Sequence, residues 1–364
     1  MDLLNVLHMN ATYRDCSYAN SSTLQKYVMF KSEKVLQDAI EDYGANGFPE
    51  CFNLADLGCS TGTNTFLFVA NTLDSVHKAC QKKNLKAPDE FQVFLNDLPN
   101  NDFNAVFKMA PPFCSKLENE KDLQRSLKCF ICGVPGSFYT RLFPSKSLHF
   151  VHSSYSVHWL SQVPEKLVEN KGNINIARAS PPSVYEAYFN QFKRDFTTFL
   201  RMRSEEIIPD GRMVLTLLGR GVSDPNSEEC CYIHELLAKS LQDLVAEGLL
   251  GEEDINSFNL PFYTPFTDEL KTIIESESSF GIDKVETFEV KWDMRDQDEI
   301  IKSKENSGKF IAKTTRAVME SLLAYHFGNT FMDKIFERFA KHATEHLSRE
   351  KSIYFNILVS LTKK

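Results

Sequence analysis

No stretch of the 364 residues is apolar for long enough to cross a bilayer, and Met1 to His8 carry no basic cluster ahead of an apolar run. A secretory signal and a membrane partner are therefore not expected, and the chain reads as cytoplasmic. Basic charge is not in excess: 41 Lys and Arg stand against 49 Asp and Glu, a net charge of −8. Nucleic acid, which selects for a basic stripe, is not an expected partner. Tryptophan is scarce at 2, whereas Phe is abundant at 29, enough to fill a dry core first and line a pocket second. The nine cysteines are an odd number without an export signal, so they read as free thiols. Their C-x-x-C, Cys129 to Cys132, has no matching second pair. It lies in the apolar run Leu127–Val134 and reads as buried thiols in a strand rather than a zinc site. In a cytoplasmic chain the sequons Asn10-Ala11-Thr12 and Asn20-Ser21-Ser22 never meet the glycosylation machinery.

Several motifs are missing as well. No G-x-G-x-x-G follows a strand, and no G-x-x-x-x-G-K-[ST] exists for nucleoside triphosphates. With 42% hydrophobic and 25% charged residues the chain can still bury a large core. Its patterning alternates short apolar runs with helical spacing. Strands are expected at Phe52–Gly58, Phe91–Asp97, Cys129–Val134, Leu148–His152 and Arg212–Leu218, the last led by a turn at Pro209-Asp210-Gly211. Helices are expected at Leu24–Asp42 and Thr65–Lys82, with a helix after each strand. Lys284–Trp292 and Ser352–Thr362 should meet antiparallel at a sheet edge. Ile233–Glu247, Ala312–Phe327 and Phe331–Leu347 are helical and belong to two stretches, Glu228–Ser279 and Gln297–Arg349, that form a cap. This is an α/β fold: a mostly parallel, Rossmann-like sheet covered on both faces, with a helical cap.

The first strand ends in Asp56-Leu57-Gly58-Cys59-Ser60-Thr61-Gly62-Thr63-Asn64. Its glycines permit a tight turn and close approach of a ligand, but their spacing is wrong for a pyrophosphate. An acid ahead of small residues suits an adenosyl ligand carrying a sulfonium. Asp97, at the tip of the second strand, can accept both hydroxyls of a ribose. In that order the two features point to S-adenosylmethionine. After the fourth strand, Tyr155, His158 and Trp159 fall at i, i+3 and i+4 and are expected on one helical face beside the cofactor.

At these residues the chain resembles the plant SABATH methyltransferases. These use S-adenosylmethionine to methylate the carboxylates of salicylate, benzoate and jasmonate, or the ring nitrogens of xanthines. The likeness runs nearly end to end, through Val6–Asn10, Ser17–Ser22, Ala55–Cys59, Phe94–Leu98, Asn101–Asn104, Pro135–Tyr139, Arg141–Pro144, His152–Gln162 and Gly211–Leu215. It implies cofactor contacts at Tyr18, Cys59, Asn64, Asp97, Leu98, Ser137 and Phe138, with Ser22 and Asp56 in the same motifs. It implies substrate contacts at Gln25, Tyr155, His158 and Trp159, a homodimer, and a planar small-molecule acceptor. Some members hold magnesium on motifs that match Asn170-Lys171-Gly172 and Asn256-Ser257-Phe258-Asn259. The expected ligand set is Asn170, Asn256, Phe258 and Asn259. Asn256 stands where those members carry an Asp, which weakens a site that wants carboxylate oxygen. The cofactor-binding domain is expected over 1–168, 205–222, 281–296 and 350–364, and the cap over 169–204, 223–280 and 297–349.

Three positions bear on the acceptor. Asn10 replaces a Lys of salicylate-type members, His158 a Met, and Tyr354 a Phe. All three resemble the xanthine methylators. The expectation is therefore N-methylation of a xanthine, with carboxyl methylation of salicylate, benzoate or jasmonate as the alternative. His158 and Trp159 are the candidate catalytic residues, with His158 orienting the acceptor more than taking its proton, and Tyr354 joins the substrate set. His234 replaces a Trp common in carboxyl methyltransferases and reads as a pocket-wall change without catalytic meaning. His342-Ala343-Thr344-Glu345-His346 matches a zinc-hydrolase pattern, but its polar surroundings read as a solvated helix face. A non-catalytic binding module is the remoter alternative. The intact Asp56, Gly58, Asn64 and Asp97 speak against it.

Overall fold

The computed structural model of the chain describes residues 2–10, 17–119, 128–165, 167, 169–294 and 304–364. Thr12 of the first sequon, Leu127 of the apolar run and the beginning of the stretch expected from Gln297 lie outside the described residues. Two short helices, α1 (Leu3–Val6) and α2 (Tyr18–Ser21), lead into α3 (Thr23–Tyr43). Then come β1 (Cys51–Leu57), α4 (Asn64–Lys83), β2 (Glu90–Asp97), α5 (Phe103–Asn119), β3 (Lys128–Pro135) and β4 (Leu148–Ser154). The chain continues through α6 (Pro182–Glu206), β5 (Ile207–Gly219), α7 (Glu228–Ala246), α8 (Glu252–Asn256) and α9 (Thr267–Glu277). It ends with β6 (Phe280–Lys291), α10 (Lys304–Phe327), α11 (Met332–Arg349) and β7 (Ile353–Lys363).

Every run expected as a strand is one. Among the described residues they form a single sheet in the order β3-β2-β1-β4-β5-β7-β6. The first five strands are parallel, and β7 enters antiparallel between β5 and β6. Two expectations fail locally. No helix joins β3 to β4, since residues 136–147 form turns and bends only. The turn at Pro209–Gly211 lies inside β5, with Asp210 at φ 62° and a register shift opposite Leu148 and Phe150. Strand pairing on both sides turns the local Pro-Asp-Gly signal into a bulge.

Side-chain alternation divides the sheet's burial between its faces. Leu54, Val93, Phe150, Val214 and Leu358 pack with α3, α4 and α5. Ala55, Val151, Met213, Leu215 and Val359 pack on the other face with Tyr188, Phe192, Phe196 and Phe199 of α6 and with Ile273 and Ile274 of α9. α6 lies mostly inside the stretch 169–204 expected in the cap, yet its phenylalanines belong to the sheet's core. Much of the Phe content is spent here, in a stacked ladder from Phe192 to Phe196 to Phe199. A separate apolar core joins α1, α7, α8, α10 and α11. That core includes Trp159 and packs with Leu98 and Leu218, which lie at or just beyond the carboxyl ends of β4, β2 and β5.

Candidate active site

In open α/β sheets ligands bind beyond the carboxyl ends of the strands, where the strand order reverses. Here that point lies between β1 and β4. β1 turns back at Gly58 and Cys59, whose N–H groups both donate to the Asn96 carbonyl at 2.9 Å. Gly58 has φ 81°, and a Cβ there would sit 2.0 Å from Ser156 Oγ, so only glycine fits. Ser60 follows at φ 54° and donates its N–H to Asp97 Oδ2 at 2.7 Å; Leu98 N–H donates to Asp97 Oδ1 at 2.7 Å. Each Asp97 oxygen keeps a second lone pair for a ligand hydroxyl. Burial pushes the Asp97 carboxyl up to about 6, against the pull of those two N–H groups. Nearby Asp56 raises it further, and His8 opposes.

The space above this turn is one cavity of about 1600 Å³, counted out to its mouth. Tyr18, Asp97, Leu98, Ser137 and Phe138 line it, and so do Gln25, Tyr155, His158, Trp159 and Tyr354. Four expected cofactor residues stand behind the wall instead. Asp56 is buried, with Thr65 Oγ1 donating to Oδ2 at 2.6 Å and His152 Nδ1 at 2.7 Å from Oδ1, so its oxygens are engaged under the turn. Cys59 is buried and its thiol meets the Ser60 carbonyl at 3.5 Å. Asn64 at the head of α4 donates to the Ser22 carbonyl at 3.3 Å. That bond ties Ser22, and with it α2 and α3, to the turn.

The expected helix carrying Tyr155, His158 and Trp159 does not form. Tyr155 has φ 57°, which no right-handed helix tolerates, and its N–H is held by the Thr216 carbonyl at 2.9 Å. The following residues bond to a distant segment: Leu160 N–H to the Pro261 carbonyl at 2.8 Å and Tyr263 N–H to the His158 carbonyl at 3.0 Å. Tertiary pairing overrides the i, i+4 spacing, yet the three rings still converge. Trp159 stands edge-on to Phe262 with centroids 5.0 Å apart, and His158 lies 4.7 Å from the same ring. Tyr155 is anchored by its hydroxyl, which donates to Asn356 Oδ1.

His158 is 2% exposed, and burial lowers its imidazole to about 3. Leu218 N–H donates to His158 Nδ1 at 3.2 Å. Nδ1 therefore carries a lone pair, and the neutral ring bears its proton on Nε2. Gln25 is 7% exposed, and its Oε1 has no hydrogen-bond partner among the described residues.

The expected metal ligands lie away from the cavity and do not fit magnesium. Asn170 Nδ2 donates to Asn259 Oδ1 at 3.0 Å, and Asn170 Oδ1 accepts from Ser180 at 2.8 Å. Asn256 Oδ1 accepts from Gly172 N–H at 2.9 Å, and Phe258 is a buried core side chain. These amides close a loop among themselves and present no carboxylate. No group of three or more His, Cys, Asp or Glu suited to a metal exists among the described residues. His342 and His346 do not share a target: His342 Nε2 meets Asp243 at 2.7 Å and His346 Nε2 meets Ser352 at 2.6 Å. Nor do they lie on a solvated face, since His342 is buried and His346 packs on Tyr232. Cys129 and Cys132 sit an odd number of residues apart on the edge strand β3, so they point to opposite faces. Cys132 is exposed rather than buried, and both are free thiols.

Some lining residues carried no sequence signal. Phe262 reaches the cavity only through its bridge to Trp159. Arg220 follows β5 directly, where the carboxyl-end rule could have found it. Its charge is already spent, on Glu269, on the Tyr263 hydroxyl at 3.1 Å and on the Thr264 carbonyl. His234 does line the wall; burial lowers it to about 4 and its Nδ1 has no partner among the described residues. Asn10 does not face the cavity and donates to Glu320 on α10.

Residues 4–364 match the family described as SAM dependent carboxyl methyltransferase. A benzoic acid/salicylic acid carboxyl methyltransferase of Petunia hybrida is 47% identical, with 100% of this chain and 99% of that one aligned. A jasmonate O-methyltransferase of Arabidopsis thaliana is 42% identical over 100% of both. Among solved structures, loganic acid methyltransferase with SAH superposes with a TM-score of 0.84 at 34% identity, covering 98% of each chain. The full-length match, together with a cleft built for an adenosyl ligand at the β1–β4 switch point, establishes that the chain belongs to the SABATH family of S-adenosylmethionine-dependent methyltransferases.

Proposed function

We propose that this enzyme methylates the carboxylate of a small, largely apolar acid, of the kind for which its benzoate, salicylate and jasmonate relatives are named. The state of His158 carries this reading. A xanthine N–H must lose its proton during methylation, and a base is needed to take it. His158 is a poor base: its Nδ1 is occupied by Leu218 and its Nε2 is already protonated. A carboxylate is ionised at pH 7 and requires donors instead. His158 Nε2–H, the Trp159 indole N–H and the Gln25 amide supply them, with Tyr155, Phe262 and Tyr354 against the body of the acid. Of the three positions behind the xanthine expectation, Asn10 turns away from the cavity whereas His158 and Tyr354 line it; the Petunia hybrida relative is named for a carboxyl group and the Arabidopsis thaliana relative for jasmonate O-methylation.

S-adenosylmethionine supplies an electrophilic methyl on a sulfonium. Asp97 would accept its two ribose hydroxyls, and Tyr18, Leu98, Ser137 and Phe138, which line the same cavity, would enclose the rest. Asp56, Cys59, Asn64 and Ser22 hold the turn in shape from behind. Leu3, Leu7 and Met319 add apolar lining to the same cavity and would exclude water around the bound donor and acceptor.

The two titrating groups give opposite expectations. Asp97 binds hydroxyls best when ionised, so affinity for S-adenosylhomocysteine should rise with pH through about 6 and level off above it. His158, held near 3, is neutral throughout, so kcat at saturating donor should be flat from about pH 6.5 to 9. Calorimetry and initial rates measured from about pH 5 to 9 check both. A kcat that climbs with a midpoint near 6–7 contradicts the base-free reading.

A further inference from the structure

On the sheet face covered by α6, behind the cavity, lies a buried ion pair that none of this chemistry uses. Arg203 and Glu206 are each 0% exposed, and Arg203 Nε meets Glu206 Oε2 at 2.7 Å. Two charges out of water are costly unless their remaining donors and acceptors are also met. Here they are met largely by one loop. Arg203 Nη1 donates to the Phe138 carbonyl at 2.7 Å and Nη2 to the Thr140 carbonyl at 2.9 Å. Glu206 Oε1 accepts from Leu142 N–H at 2.6 Å and Phe143 N–H at 3.1 Å, with Arg141 Nε 3.5 Å away.

This is the helix-free connection from β3 to β4, whose backbone has no ladder of its own to satisfy it. Its first residues face the cavity: Gly136 N–H donates to the Asp97 carbonyl at 2.9 Å, and Ser137 and Phe138 follow in the wall. Tyr139 then ties the same loop to the segment carrying His158 and Trp159, its hydroxyl donating to the Trp159 carbonyl at 2.6 Å.

We infer that Arg203 and Glu206 are positioning residues for methyl-donor binding, acting through the 137–143 loop to hold Ser137 and Phe138 against the donor. The inference rests on the donor lying between Asp97 and Ser137. A rigid frame is what such a site requires, because small displacements of binding groups are costly.

The test is the calorimetric Kd for S-adenosylhomocysteine in Arg203→Lys and Glu206→Gln, measured well below each variant's Tm, with Asp97→Asn alongside. Lysine keeps the charge but cannot span two carbonyls. Glutamine keeps an oxygen for Leu142 and Phe143 but loses the charge facing Arg203. The expected result is about tenfold weaker binding or more in Arg203→Lys, a smaller loss in Glu206→Gln, and wild-type circular dichroism in both. A folded Arg203→Lys with wild-type Kd overturns the inference, however far its Tm falls, because the pair would then only support the fold. If Arg203→Lys does not fold, Glu206→Gln decides alone by the same criterion. Should Asp97→Asn leave Kd unchanged, the donor's placement is wrong and this inference falls with it. Weakening in Asp97→Asn without weakening in Arg203→Lys refutes the inference alone.

Discussion

Replacing Asp97 with Ala should all but abolish donor binding while leaving the protein folded. Two hydrogen bonds to a charged carboxylate, at about 1.5–3 kcal/mol each, correspond to a loss of roughly 10²–10⁴ in affinity. The substitution also frees the N–H groups of Ser60 and Leu98 that Asp97 now gathers, so the turn after β1 loses its anchor. Ser60 holds φ 54° beside that anchor and would relax. The effect should therefore appear in the S-adenosylhomocysteine Kd and donor KM, with acceptor KM at saturating donor little changed. Asp97→Asn should be milder, since it keeps one acceptor oxygen and the two backbone contacts in part. Unaltered donor affinity in Asp97→Ala would place the ribose elsewhere.

The second large effect belongs to His158. His158→Phe keeps the ring against Phe262 and removes the Nε2–H donor. A hydrogen bond to an ionised acceptor is worth about 1.5–3 kcal/mol, so kcat/KM for a carboxylic acid should fall by roughly 10–150-fold. The same change strands the half-buried Leu218 N–H, which now donates to His158 Nδ1, at a cost of about 1 kcal/mol in stability. A matching fall in Tm is expected, and donor Kd should not move. If His158→Phe retains full kcat/KM toward every acid, His158 neither orients nor stabilises the carboxylate.

How far the sequence could be read depended on whether a feature was local. Strands were legible because a buried parallel strand is a short apolar run, and all seven runs are strands. The position of Asp97 in the cavity wall was legible because it follows from its place at a strand tip. The helix over Tyr155–Trp159 was misread, because bonds to Pro261 and Tyr263, about a hundred residues on, outweigh a spacing of three and four. Asn10 misled for a related reason: which way a side chain turns depends on Glu320, in α10. The sequence also assigned the phenylalanines of α6 to the cap, since helical spacing does not say which surface a helix covers. The Arg203–Glu206 pair left no trace in composition or motif; only the fold brings it beneath the 137–143 loop.

The central claim is that the acceptor atom is a carboxylate oxygen that arrives ionised and is held by donors. The most direct measurement uses purified enzyme, S-adenosylmethionine labelled in the methyl group, and a panel of benzoate, salicylate, jasmonate and the xanthines. The account predicts label transfer to one or more of the acids, in a product that releases labelled methanol on treatment with alkali. Label transferred to xanthines alone, in a product stable to alkali, would contradict it.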